Sequence, residues 1–204
     1  MIPLCLHKTN RGFTIVELLV AMVMGLVVLV AVLNILVSQN RTNAVQQEVA
    51  YAQQNVRAAM DLMVQEIRNA GYDPENNGFD AIQTATSNSI RVLSNISGDD
   101  EAGNPDDPNE DVTYTVNASN QLTRNGTRIV DFVSNLQFGY VLKDNTMLDP
   151  PAAPLTTAQM RDIRAVIIRL GVRTENRDPD TGQYRFRNLV TGVRIRNMGF
   201  QDIE

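Results

Sequence analysis

The stretch Gly12-Phe13-Thr14-Ile15-Val16-Glu17, followed by the run from Leu18 to Val37, decides the fold of this chain. The run contains no charged residue, and Asn34 is its only strongly polar one. A helix of this length spans roughly 30 Å at about 1.5 Å per residue, which is the thickness of the hydrocarbon core of a bilayer. The sequence therefore predicts one membrane-spanning helix near residues 14–37.

A short basic leader, residues 1–12 with Lys8 and Arg11, precedes the apolar run. The positive-inside rule predicts that these charges stay in the cytoplasm. A secretory signal has its apolar segment before the cleavage site, so the order here is reversed. Two interpretations remain: an uncleaved signal anchor with Glu17 near the interface by accident, or a specific signal formed by Gly12, Phe13 and Glu17 before the apolar run. A carboxylate within lipid costs a few kcal/mol, which makes Glu17 a candidate functional residue.

Residues 11–33, beginning Arg-Gly-Phe-Thr-Ile-Val-Glu, resemble the class III signal of type IV prepilins and type II secretion pseudopilins. The resemblance implies that a prepilin peptidase cuts between Gly12 and Phe13, that Phe13 becomes N-methylated, and that Glu17 is needed for assembly. Three later stretches resemble PilW-type minor pilins: Met60–Pro74, residues 136–140 and residues 164–173.

Phe13 and Glu17 are four residues apart, so in a continuous helix they would share one face. The freed amine of Phe13 would be cationic near neutral pH, and N-methylation would keep that charge. Among apolar helices each charge alone is costly, whereas the pair is mutually stabilising at low effective dielectric. In the family the acid is thought to pair with the amine of a neighbouring subunit, and we expect Glu17 to do so here.

The composition argues against catalysis and against nucleic-acid binding. The net charge is −5, and loss of Lys8 and Arg11 would make it −7, whereas a nucleic-acid surface is basic. The only His, His7, and the only Cys, Cys5, lie in the leader, so the processed protein would have no His-based or Cys-based catalysis, no usual zinc ligands and no disulfide. We expect a protein that is not an enzyme.

The residues from Phe13 to Ala70 contain no proline and predict one long helix. Past the membrane segment its apolar positions alternate with gaps of four and three, which indicates one buried face. These positions are Val45, Val49, Ala52, Val56, Ala59, Met63 and Ile67. Gly71 is expected to cap the helix, with Pro74 just beyond it.

The remainder is predicted to be β-rich. Strands are indicated around 90–92, 112–116, 138–142, 163–172 and 184–197, and turns at 117–120, Asn125-Gly126 and 178–182. The strand at Ile163–Val172 is apolar on both faces, so it should be central and form an antiparallel hairpin with the last strand. The predicted class is α+β and pilin-like: leader 1–12, helix 13–70 and a globular domain 71–204.

Residues 97–111 hold seven acids among fifteen residues. Several carboxylates on a loop with glycine suit calcium, but dense charge and low hydrophobicity equally indicate a solvated insertion. The turn Asp178-Pro-Asp-Thr-Gly182 invites the same two interpretations. No other metal or cofactor is expected. The stretch from Asp149 to Pro154 is expected to be a stiff surface connection.

The resemblance implies a minor pilin that co-assembles with other minor and major pilins in the inner membrane and primes or caps a type IV pilus. Its globular domain would face the periplasm and later the cell surface. Two alternatives stay open, a J-like type II secretion pseudopilin and a tip adhesin. The sequence leaves the position in the filament, the order of partners and the task of the filament open.

Overall fold

A computed structural model describes residues 12–76, 78–97 and 109–198. The chain forms two compact units, Met1–Val45 and Gln46–Glu204. Helix α1 covers Ile15–Asn69 and contributes to both units, which are described separately below.

In the first unit, helix α1 from Ile15 onward presents apolar side chains to its surroundings all round. Leu18, Val28 and Leu36 are between 48% and 67% exposed, and no residue of the most apolar window is buried. By length and composition this helix is able to cross a membrane. A helix that is apolar on every side and meets no other protein surface in its own unit has the character of a lipid-facing segment.

In its described residues, the second unit comprises the end of α1, nine strands and a short helix. The five-stranded sheet has the order β1-β2-β3-β4-β5, and the four-stranded sheet has the order β7-β6-β8-β9. All pairs are antiparallel. The elements are β1 (Ile82–Ala85), β2 (Ile90–Leu93), β3 (Asp111–Val116), β4 (Leu122–Arg124), β5 (Thr127–Val130), β6 (Val133–Leu142), β7 (Met147–Leu148), α2 (Thr157–Arg161), β8 (Ile163–Arg173) and β9 (Phe186–Arg194).

One face of α1 supplies the helical part of the core. Val56, Met60, Met63 and Ile67 are at most 1% exposed and belong to one buried cluster with strand residues of both sheets. Burying an aliphatic or methionine side chain of this size is worth about 1.5–3 kcal/mol. The spacing of three and four residues thus fixes which face of the helix turns inward.

A partly buried polar network joins α1 to the five-stranded sheet. Glu66 accepts hydrogen bonds from the Tyr114 hydroxyl on β3 and from Arg124 Nε on β4, the latter at 2.9 Å. The carboxylate and the guanidinium are only 16% and 18% exposed. Because charges that are withdrawn from water need partners, the network specifies the position of Glu66 on the sheet.

Gly71 ends the helix, as its sequence position predicts. Its φ is +74°, its N–H donates to the Leu93 carbonyl at 2.8 Å, and a Cβ there would lie 2.9 Å from the Cβ of Ala81. Only glycine meets both the dihedral and the spatial requirement. The turn directs the chain from α1 into the first sheet.

The connection from Asp149 to Pro154 is attached to the four-stranded sheet. Asp149 accepts two hydrogen bonds from Arg169 of β8, one of them at 2.6 Å from Nη2. A Cβ on Gly139 of β6 would overlap the Asp149 carboxyl group, so the absence of a side chain at Gly139 makes room for it. The segment is therefore a strap across the sheet, whereas the sequence predicts only a stiff connection.

The α+β class is confirmed, and the strands at residues 163–173 and 186–194 form the predicted antiparallel hairpin with β8 in the sheet interior. The Asn125-Gly126 turn between β4 and β5 has both residues at positive φ, 50° and 78°. The structure differs in having two sheets. It also contains elements outside the predicted strand ranges, namely β1, β4, β5, β7 and α2, of which β4 and β5 flank the predicted Asn125-Gly126 turn.

Two buried phenols predict how stability depends on alkaline pH. Burial, and then the hydrogen bond to Glu66, raise the pKa of Tyr114, and burial raises the pKa of Tyr140, above their ordinary value of 10.0. Both stay protonated when folded but ionise near pH 10 when unfolded, so their stabilisation is complete below that pH and lost above it. We expect the free energy of unfolding to fall by about 1.4 kcal/mol per pH unit for each tyrosine.

The measurement is thermal unfolding of the full chain in detergent at a series of pH values around and above 10, followed by near-ultraviolet circular dichroism. It gives the slope of the free energy of unfolding against pH. Tyr114→Phe and Tyr140→Phe should each flatten the alkaline slope. Tyr51→Phe is the matched control, since this ring is 68% exposed, and it should keep the wild-type slope. An unchanged slope in both buried-site variants would contradict the assignment.

Candidate functional site

The residues singled out at the N-terminus lie at the start of helix α1. Gly12, Phe13 and Thr14 precede the helix, and Glu17 lies in its first turn. Phe13 is 89% exposed. The shared helix face expected for Phe13 and Glu17 is wrong for the chain with its leader attached, because Phe13 is outside the helix.

Thr14 and Glu17 form a reciprocal capping box. The Glu17 N–H donates to Thr14 Oγ1 at 3.2 Å, and Glu17 Oε2 accepts from the Thr14 N–H at 2.9 Å and from its hydroxyl at 3.1 Å. The first N–H groups of a helix have no partner within the helix, so this arrangement satisfies two donors. Thr14 was not among the residues predicted from the sequence, although Thr-x-x-Glu before an apolar run is a recognised signal for a capping box.

The capping box leaves one oxygen of Glu17 available. All the hydrogen bonds that Glu17 accepts within the described part of the chain go to Oε2. The side chain is exposed, and the N-terminal end of the helix dipole favours its negative charge. Glu17 is thus a side chain held in a fixed orientation at the head of an exposed apolar helix, and Oε1 accepts no hydrogen bond from the described residues.

A groove of about 560 Å³ lies in the second unit. It is lined by α1 between Gln47 and Asn55 and by the segments 128–132 and 172–175. On its wall, the Arg173 guanidinium lies 4.0 Å from the centre of the Tyr184 ring and 5.1 Å from that of Phe132. Such contacts between a cation and aromatic faces fix the arginine in place. The groove offers aromatic and charged groups side by side.

The residues considered for calcium are only partly described. Residues 98–108 of the acidic loop 97–111 lie outside the described residues, so calcium there stays a prediction. In the turn at 178–182, Asp178 accepts from the Asp180 N–H at 2.9 Å and from Arg185 Nε at 2.9 Å. These bonds hold the pKa of Asp178 below its usual value. Within the described ranges no three acidic, His or Cys side chains form a metal-binding group.

Two protein families match the chain. The prokaryotic N-terminal methylation motif matches residues 7–33, which include Gly12, Phe13 and Glu17. The family of prepilin peptidase-dependent protein B matches residues 45–154, more than half of the 204 residues. No curated protein matches the chain significantly.

The capping box predicts local stability at the start of α1. Thr14→Val removes the side-chain acceptor, and losing such a cap costs about 1 kcal/mol. We expect the amides of the first helical turn to exchange about fivefold faster with solvent, measured by hydrogen–deuterium exchange on the full chain in detergent. Thr14→Ser keeps the hydroxyl and should exchange like the wild type. Equal exchange in both variants would contradict the capping role.

Proposed function

The chain belongs to the family of prepilin peptidase-dependent protein B, and we propose that it acts as a minor pilin of the PilW kind. In this proposal it assembles with other minor and major pilins in the inner membrane and primes or caps a type IV pilus. Its role is structural and not catalytic. The single observation that carries the proposal is the oriented carboxylate of Glu17 at the head of an apolar helix with an exposed surface.

Removal of the leader would create the cation that Glu17 needs. Cleavage between Gly12 and Phe13 frees an amine at Phe13, which is methylated and keeps its positive charge. The matched methylation motif, residues 7–33, and the exposure of Phe13 support this step. The amine of one subunit would then meet Glu17 Oε1 of its neighbour, while Oε2 continues to cap the helix of its own subunit.

The two oxygens of Glu17 thus have separate tasks in the assembled state. An ion pair among apolar helices stays favourable only if both charges find partners, because an unpaired buried charge is costly. A neighbour displaced by one turn would leave the amine and the carboxylate apart. The pair therefore selects one axial position between subunits, which the apolar surfaces alone would not do.

The proposed location follows from charge and hydropathy. Lys8 and Arg11 hold the leader in the cytoplasm, α1 crosses the inner membrane once, and the second unit lies in the periplasm before it reaches the cell surface with the filament. The proposed partners are the prepilin peptidase, other pilins and the inner membrane. Calcium binding by the acidic loop 97–111 belongs to the same proposal.

Two other functions are compatible with an apolar anchoring helix that carries Glu17. A J-like pseudopilin of type II secretion would have the same leader and the same use of Glu17, and neighbouring secretion genes in place of minor pilin genes would favour it. A tip adhesin is favoured by the groove with Phe132 and Arg173 on its wall. It requires that the protein bind a surface or a glycan without other pilins.

Three variants separate the charge of Glu17 from its capping role. Glu17→Gln keeps an acceptor for the capping box and removes the charge, Glu17→Val removes both, and Thr14→Val removes the cap and keeps the charge. If the ion pair drives assembly, both Glu17 variants should lose about 3 kcal/mol of association, roughly a hundredfold in affinity. Thr14→Val should retain most of it.

Co-purification of each tagged full-length variant with the partner pilins, quantified by mass spectrometry, measures this difference. Undiminished recovery of partners with Glu17→Gln would reject the charge-pair mechanism. Loss of partners in Thr14→Val equal to that in Glu17→Gln would assign the effect to helix capping.

Processing provides an independent test. Gly12→Asp places a charged side chain at the cleavage position, where the peptidase of this family acts after glycine, so we expect only uncut precursor by intact mass. Asn10→Asp adds the same charge before the cleavage position and should still give the mature form with a methylated Phe13. A mature form from Gly12→Asp would contradict the assigned cleavage point.

A further inference from the structure

Strand β9 (Phe186–Arg194) forms one edge of the four-stranded sheet. It pairs with β8 over nine residues without a register shift, from Ala165↔Arg194 to Arg173↔Phe186. Within the described ranges no strand pairs with its other side. The backbone N–H and C=O groups directed to that side are therefore available to another strand, except the Phe186 carbonyl, which accepts a hydrogen bond from Arg187 Nη1 at 3.0 Å.

The other edges of the two sheets are less suitable for pairing. Strands β1 and β5 have four residues each, and the pairing of each with its neighbouring strand contains a register shift. Strand β7 has only two residues. Short or irregular edges are a common protection against association. Strand β9 is long and regular and contains no proline, so it lacks this protection.

The outer face of β9 is exposed and only partly apolar, because Asn188 and Arg194 share it with apolar residues. Phe186 and Val190 lie on this face and are 52% and 61% exposed. Gly192 follows on the same face, and a Cβ built there meets no atom within 4 Å. An added strand could therefore place side chains beside Val190 and over Gly192 without a clash.

The charge of this edge indicates the chemistry of its partner. Residues 181–198 contain four arginines and no acidic residue, in a chain of net charge −5. Arg185 is bonded to Asp178, whereas Arg187 and Arg194, at the two ends of β9, form no ion pair with any carboxylate of the described residues. Both are exposed, so an acidic strand would find a cation near each end of β9.

The same charges disfavour pairing with a second copy. A second copy paired along this edge would bring the same four arginines and no carboxylate from residues 181–198. Like charges opposite each other destabilise a strand pair. The occupant is therefore a different chain.

We propose that β9 accepts an extended, acidic strand from a different pilin subunit and thereby continues the four-stranded sheet across the interface. Backbone hydrogen bonds give the affinity, and Arg187 and Arg194 select a strand with carboxylates at matching positions. This inference rests on the proposed function, since it identifies how one partner subunit is chosen.

A synthetic strand tests the edge directly. The probe is a short acetylated peptide that alternates glutamate with valine and threonine, and the readout is hydrogen–deuterium exchange of the full chain in detergent. We expect saturable protection of amides in residues 186–194. Arg187→Gln combined with Arg194→Gln should weaken binding by about tenfold, because both cross-strand charge pairs with the peptide are lost.

Arg91→Gln combined with Arg128→Gln is the matched control. It removes the same charge from surface ion pairs of the other sheet and should bind the peptide like the wild type. Absence of protection at millimolar peptide, equal protection by the lysine version of the peptide, or equal protection by a DNA oligonucleotide would each overturn the proposal. A homodimer of the wild type that becomes tighter in the variant Arg187→Gln combined with Arg194→Gln would also overturn it, because the edge would then pair with a second copy.

The result is separable from the assembly tests on Glu17. If partner pilins co-purify with the wild type and are lost with Glu17→Gln while the peptide fails to protect β9, only the edge inference fails. If the peptide protects β9 and no pilin co-purifies, the edge binds acidic strands but the proposed function fails.

Discussion

The packing of Val56, Met60, Met63 and Ile67 into the core of the second unit is the constraint on which the rest of that unit depends. These side chains belong to one cluster with residues of both sheets, so the helix end and the two sheets share a single core. The hydrogen bonds of Glu66 also fix the rotation of helix α1 on the sheet. Apolar contacts alone tolerate small rotations of a helix, whereas a carboxylate bonded to Tyr114 and Arg124 has one position that leaves no polar group unpaired.

In the first unit the surroundings of helix α1 are different, and the pattern of apolar residues in the sequence changes accordingly. Up to Val37 apolar residues occur on all sides, and beyond Val45 they keep to one stripe. This change is why the helix, the fold class and the inward face were predictable from periodicity alone. The Asn125-Gly126 hairpin and the β8–β9 hairpin were predictable for a similar reason, since the turn chemistry and the alternation are local signals.

What the sequence did not predict depends on contacts between distant residues. The division of the strands into two sheets is one example, because alternation shows that a strand has a buried face but not which sheet it joins. Strands β1 and β7 are too short to show a period, and α2 has five residues. The strap from Asp149 requires Arg169 and Gly139, which come together only in the folded sheet. At the candidate site Glu17 was identified by its cost in lipid, but its local bond to Thr14 was overlooked although the spacing shows it.

The chemistry of the two units suits them to different parts of partner recognition. Apolar helix surfaces attract one another through weak, undirected contacts, so they discriminate poorly between one pilin-like helix and another. In the proposed assembly the charge at the helix head would fix axial position, but any family member with a free amine would satisfy it. The choice among similar partners would then depend on the second unit, where main-chain hydrogen bonds and side-chain charges are directional. The long regular edge at β9 has the properties that this choice would require: outward backbone groups, exposed apolar side chains at Phe186 and Val190, and arginines that would favour an acidic strand over a second copy.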